Sequence, residues 1–333
     1  LGQERKIDLA GALLIERGVA RIRLDGNLGG ADRLAGRFEA EQAADRFALD
    51  LDYVAPKGGL LAALTGAGAE RRLRIAGKGT WRDWHGTLVA SAAGQRAAIL
   101  ALHQSAGRGS LTGQIWPGSL VADGFARRAL GPVLALTGSG TFHDGVLAGQ
   151  LAARGPALVA SLGGGVDLAR GAAQRLVLDA RAADPALLGP DGALAGTRLE
   201  ARLDGRWRAL EVAYRLTATS FAQGRTRLEA IAASGTASAG AAGWRIPVAL
   251  AIGRIGTAQE WLNSRLVNGR ASGTLMLAGG QLTARHIAVE LPGIAGDLDL
   301  SGDLAGGQWR IGGPVTARGL PLPGAGPTDA RGA

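Results

Sequence analysis

The chain has 333 residues, 37 Lys and Arg against 28 Asp and Glu, a formal net charge of +9, and apolar residues at 47% with aromatics at only 4%. The absence of cysteine excludes disulfides, thiolate metal sites and thiol nucleophiles, and four scattered histidines without a second histidine at ligand spacing argue against a metal centre. No run approaches the roughly 18 consecutive apolar residues of a membrane-spanning helix, so a large core or face must be built from Leu, Val, Ile and Ala.

Along the chain the dominant signal is period-two alternation. Residues 46–53 set Phe47, Leu49, Leu51 and Tyr53 against Arg46, Ala48, Asp50 and Asp52. A helix is predicted over 58–65, after which Leu73 and Ile75 alternate with Arg72 and Arg74, and glycines such as Gly77, Gly79, Gly138 and Gly140 permit bends. Leu176 and Leu178 alternate with Arg175 and Asp179, a short helix is predicted over 184–189, and residues 198–204 set Leu199, Ala201 and Leu203 against Arg198, Glu200, Arg202 and Asp204. The clearest helix is predicted over 257–268, where Thr257 and Glu260 have capping-box spacing, Trp261, Leu262 and Leu266 form a stripe, and Asn268-Gly269 provides a stop. Ile287, Val289 and Leu291 then alternate with His286 and Glu290. Successive strand side chains point to opposite faces, so each alternating segment is a strand with one dry and one wet face.

Hairpin turns are predicted at Asp25-Gly26, Asp123-Gly124, Asp144-Gly145, Asp191-Gly192, Asp204-Gly205 and Asn268-Gly269, because such pairs supply positive φ. The expected fold is all-β, a long antiparallel repeat sheet with one or two short helices. About twenty half-apolar strands exceed what an open twisted sheet usually reaches, so the sheet is expected to curl on itself, closing as a solenoid, pairing as a sandwich or curving into an open trough, and of these an elongated groove, taco-like or solenoid-like, is the expectation taken. Residues 1–319 are expected to form one continuous groove segment of a longer chain. Residues 320–333 read as a Pro/Gly-rich tail or linker with too little apolar surface to offset ordering.

Other chemistries are weaker. Asp297, Asp299, Ser301 and Asp303 mimic a calcium loop, but its twelfth position is Gln308 instead of the bidentate Glu. Gly163-Gly164-Gly165 and the Gly138/Gly140 pair complete no phosphate-loop spacing, and no Gly-x-Ser-x-Gly elbow occurs. Glu39, Glu41, Asp50 and Asp52 could be imagined as glycosidase pairs, yet they fall on the arginine-bearing face, where ion pairing is the ordinary explanation. Arginines that alternate with acids also argue against nucleic-acid binding. The reading is therefore non-enzymatic, with no catalytic residues, no metal and no cofactor.

The segment RLDGRWRALEVAYRLTAT at 202–219, the entry RLDG at 23–26, DLDLSGDLAGGQWRI at 297–311, and DYVAPKGGLLAALTG followed by WRDWHGTL resemble the AsmA-like superfamily, most closely the middle region of its TamB-type, translocation-and-assembly-module members. That resemblance implies a β-groove in the periplasm of a Gram-negative bacterium. It also implies an inner-membrane anchor and an Omp85-type outer-membrane barrel partner, both through parts of the chain not present here. The implied role is intermembrane phospholipid transport, outer-membrane protein assembly and secretion, or both. Phospholipid acyl chains would lie on a wall of Leu24, Leu49, Leu51, Leu73, Ile75, Leu176, Leu178, Leu199, Leu203, Val212, Leu216, Ile287, Val289, Leu298 and Leu300. The alternative is a non-catalytic polysaccharide-binding β-solenoid or a structural scaffold, in which the aliphatic face is an ordinary core.

Overall fold

The computed structural model describes residues 7–28, 31–56, 70–121, 125–188, 192–303, 309–321 and 327–332. Strand accounts for 76% of it and helix for 5%, which makes the protein all-β. The chain divides into two compact units, one of residues 1–144 with 148–156 and the other of 145–147 with 157–333.

The first unit is a meander of β1 (Ile7–Glu16), β2 (Val19–Leu28), β3 (Arg33–Glu41), β4 (Arg46–Ala55), β5 (Arg71–Gly79), β6 (Asp83–Ala92), β7 (Gln95–Ser105), β8 (Arg108–Ile115), β9 (Leu134–His143) and most of β10 (Val146–Arg154), with helix α1 (Phe125–Leu130) before β9. Each strand from β1 to β9 pairs antiparallel with its sequence neighbours, and β9 pairs β10.

The second unit holds β11 (Leu158–Asp167), β12 (Ala172–Ala182), β13 (Gly192–Ala195), β14 (Arg198–Arg206), β15 (Glu211–Gln223), β16 (Thr226–Gly240), β17 (Gly243–Gly256), helix α2 (Glu260–Asn263), β18 (Val267–Ala278), β19 (Gln281–Leu291), β20 (Ile294–Asp303), β21 (Trp309–Gly312), β22 (Val315–Pro321) and β23 (Pro327–Gly332). It too is an antiparallel meander, except that β12 skips to β14 while β13 and β14 lie end to end along β15. In the same way β21 and β22 share β20. Neither ladder closes into a ring among the described residues.

Many of the tight turns differ from the sequence expectation. Arg17-Gly18, Ala93-Gly94, Ala106-Gly107, Asp144-Gly145 and Gly279-Gly280 each have positive φ at both central residues, the twist that matches two antiparallel strands. Of the six expected turns, Asp144-Gly145 is therefore found. Asp25-Gly26 instead lies inside β2, where Gly26 is needed for close approach: a Cβ there would sit 2.1 Å from the Asp8 carbonyl oxygen. Asp204-Gly205 lies inside β14 and Asn268-Gly269 inside β18. Asp123-Gly124 and Asp191 lie outside the described residues, as does the helix predicted over 58–65, while Gly192 opens β13.

The helix predicted over 257–268 shrinks to α2. Thr257 Oγ1 accepts the Gln259 N–H at 3.2 Å, and the Asn263 amide bonds back to the Thr257 backbone N–H at 2.8 Å and carbonyl at 3.2 Å, closing a loop instead of extending a helix. The Ile255 N–H then donates to the Leu266 carbonyl at 2.7 Å and draws the chain into the β17–β18 pair. The helix expected over 184–189 is a 3-10 turn at Pro185–Leu188. Within the expected tail, the backbone of 327–332 pairs with β22.

Glycine and tryptophan set the sheet's thickness at one place. The Trp84 ring lies across Gly77 and Gly86, which face each other on β5 and β6; an added Cβ would come within 2.2 Å and 2.6 Å of the ring. Phe47 stacks on Trp81 at 4.5 Å and on Trp84 at 6.3 Å, with Phe38 beside it at 5.7 Å. Trp309 covers Gly302 in the same manner. Substituting Gly77→Val should therefore destabilise the first unit by about 2–4 kcal/mol through overpacking and loss of the ring stack. Gly36→Ala, whose Cβ would meet Leu24 at an ordinary 3.7 Å, should leave the urea midpoint unchanged or slightly raised.

A bulge in β19 places His286 at φ 58°, with its N–H 3.1 Å from Asp299 Oδ1 and its ring Nδ1 3.0 Å from Asp297 Oδ2. The hydrogen bond to Asp297, helped by that carboxylate's charge, raises the imidazole pKa. Its stabilising contribution is complete below the ordinary value of about 6.5 and is lost as pH rises through the raised one. Titration followed by NMR should place the His286 midpoint above the ordinary range, and Asp297→Asn should return it there.

Candidate functional site

In an antiparallel ladder, residues directly opposite one another share a face. The registers of the first unit therefore join separate segments into rows across the strands. One runs Leu24, Gly36, Leu51, Ile75, Leu88, Leu100, Gly113, Leu136. Beside it run Leu13, Ile22, Phe38, Leu49, Gly77 and, on the other side, Leu34, Tyr53, Leu73, Ala90, Ala98, Ile115, Leu134. In the second unit a row runs Ala180, Leu199, Leu216, Ala233, Leu250, Ala271, Val289, Gly296, Val315. It is flanked by Leu178 and, across the sheet, by the pair Ile287 and Leu298. Beyond lie Leu176, Leu203 and Val212, and Leu300 opposite Ile311.

All fifteen positions expected to line an apolar wall thus fall on the apolar face of their own unit. Thirteen are half-buried; Leu24 is exposed at 39% and only Leu176, at 7%, is buried. The exception has a local cause. Leu210, following a 3-10 turn at Trp207–Ala209, folds onto Ala173 and Leu176, with Leu162, Leu203, Val212 and Trp244 packed around them. At that corner the wall is an ordinary core.

In the first unit the apolar face ends at a polar corner. Arg71, 7% exposed, lies opposite Ala55 and Ala92 and turns one guanidinium nitrogen toward the Leu120 carbonyl at 3.5 Å; nearby Tyr53 donates to the fully buried Asp32 at 3.0 Å. In the second unit the buried Asp167 accepts from the Arg170 N–H at 2.8 Å and its guanidinium at 3.0 Å, which hold its carboxyl below the usual range.

The opposite face carries the ion pairs expected of it: Arg21 with Glu39 at 3.3 Å, Arg46 with Glu41 at 2.8 Å, Arg74 with Asp50 at 2.8 Å, and Arg72 with Asp52, whose carboxyl is held low by that hydrogen bond. Asp297 and Asp299, singled out as calcium-like, engage His286 instead. Among the described residues no group of three His, Asp or Glu converges as metal ligands, and no helix is long and apolar enough to cross a membrane.

The sequence reading missed three features. The ring cluster in which Trp81 and Trp84 gather against Phe38 and Phe47 has no periodic spacing in the sequence. The corners at Asp32 and Asp167 carried no motif. The third lies on the polar face of the second unit: two adjacent depressions of about 500 and 560 Å³ that share Arg215 and Ser234. Comparison with known proteins identifies no relative: no family model, no curated protein and no solved structure matches this chain.

Proposed function

We propose that this chain is a non-catalytic segment of a lipid-carrying β-groove in the Gram-negative envelope, anchored at the inner membrane and acting in the periplasm with an Omp85-type outer-membrane barrel, as its resemblance to AsmA-like proteins of the TamB type implies. The observation that carries this reading is the surface left uncovered. Of the fifteen wall positions thirteen are half-buried, Leu24 is exposed and one is buried, as on a sheet face without a packed second layer.

Such a face suits an acyl chain. Bringing a chain of about sixteen carbons into water costs on the order of 12 kcal/mol, at roughly 0.8 kcal/mol per CH₂. A wall of Leu, Ile and Val removes most of that cost along the whole row, while the head group stays in water. Glycines such as Gly36, Gly77 and Gly113 recur along these rows, so the chain meets a run of similar shallow contacts. A second reading, a chaperone for outer-membrane strands, is favoured by β1: it pairs only with β2 among the described residues, and Leu9, Leu13, Leu14 and Ile15 on it are 44–67% exposed. An open strand edge accepts another strand by backbone hydrogen bonding.

Photo-crosslinkers placed at 51 and 75 in the chain mixed with phospholipid vesicles are expected to capture lipid, and those at 52 and 74 are not. With a crosslinker at 199, opposite Leu216 in the second unit, Leu216→Asp should abolish capture there without unfolding it. Equal labelling on both faces would show the wall to be no lipid surface. A strand peptide labelled only from β1 would favour the chaperone.

A further inference from the structure

On the polar face of the second unit the strand registers bring two arginines together without a carboxylate to join them. Arg202 lies opposite Ala213 and Arg215 opposite Glu200, so the two are diagonal neighbours on β14 and β15, about 7–8 Å apart at the backbone. Neither arginine makes an ion pair among the described residues, although Glu200 stands directly opposite Arg215. The carboxylates facing the depression, Asp179 and Glu200, are already held by Arg198 at 2.5 and 2.9 Å, with Arg181 also on Asp179 at 3.6 Å. Two guanidinium charges are therefore left over. On the next strand Ser234 stands opposite Arg215 and Thr236 opposite Ala213, so two hydroxyls border the same depression of about 560 Å³. Ligand sites commonly occupy about 300–1,000 Å³.

We infer that Arg202, Arg215, Ser234 and Thr236 form a binding site for a tetrahedral oxyanion, a phosphate or phosphate ester. Guanidinium forks match the planar edge of two phosphate oxygens, and the hydroxyls can donate to a third. Repulsion between adjacent cations, unfavourable in the empty sheet, turns into joint attraction once a dianion or monoanion sits between them. The second depression continues from Arg215 and Ser234 over the methyl groups of Ala249, Ala251 and Ala288, so an ester with an apolar body has a floor to lie on. Arg270 and Glu290, opposite each other, stand at its far side. The site is independent of the lipid reading, since it is on the other face of the sheet.

Calorimetric titration of the full chain tests it with two probes, inorganic phosphate and dihexanoyl phosphatidylglycerol kept below its micelle concentration. Arg202→Gln and Arg215→Gln should each weaken binding by about tenfold or more, the scale of a lost charge-assisted hydrogen bond. Arg108→Gln, which removes the same charge from the exposed start of β8 in the first unit, should change it less than about twofold. Unaltered circular dichroism would establish that the variants fold. Phosphate binding lost in both arginine variants supports a site for the free anion; binding of the lipid probe alone, lost in the same variants, supports an ester site. The inference is overturned if neither probe binds at millimolar concentration, or if Arg108→Gln weakens binding equally. Lipid-probe binding that ignores both arginines but falls in Leu216→Asp would overturn it too, while leaving the apolar wall in place.

Discussion

In-register antiparallel pairing is the constraint on which everything else in this protein depends. Once a strand's alternation is fixed, pairing with its neighbour leaves no freedom over which side chains meet: Leu51 must face Ile75, and Asp50 must share the other surface with Ala76. A slip of one residue would move an entire apolar set into water. Repeated from strand to strand, this rule turns separate half-apolar segments into a continuous sheet surface, and it does so equally for the apolar rows and for the arginines and acids behind them.

A sheet with so little packed against it needs anchoring at particular points. In the first unit the apolar face is stopped by the buried Asp32, Tyr53 and Arg71, where burial strengthens each polar contact and makes misplacement costly. In the second, Leu210 closes over Leu176, and Asp167 fastens the β11–β12 connection through Arg170. Between these points the glycines that lie under Trp84 and Trp309 let a flat ring stand in for missing side chains, so apolar cover is kept where the backbone itself is bare.

The alternation at 46–53, 72–75, 175–179, 198–204 and 286–291 was legible because period two is a local property, and it carried with it the face of each expected wall residue inside those segments, such as Leu51, Ile75 and Leu199. The turns were less so. Arg17, Ala93 and Ala106 adopt positive φ because the strands on either side demand that twist and the following glycine permits it, whereas Asp25-Gly26 and Asn268-Gly269, better turn formers in isolation, are held in strands by their neighbours. Gly26 shows why: its value lies in what approaches it from β1, which no local pattern records. The same applies to Arg202 and Arg215, thirteen residues apart and brought together only by register.

The meander has a kinetic consequence. Eight of its hairpins close through two-residue turns, and nearly every strand bonds to the ones next to it in sequence, so little loop entropy is lost before each new contact forms. Such a ladder can zip outward from any hairpin that forms first, in the manner of a repeat array whose stability is a sum over nearest neighbours. Its ends should fray before its middle, and cooperativity should weaken with distance along the strands. The length of the sheet is then something evolution can alter by adding or removing a hairpin, each of which lengthens or shortens the rows of its own unit by two members.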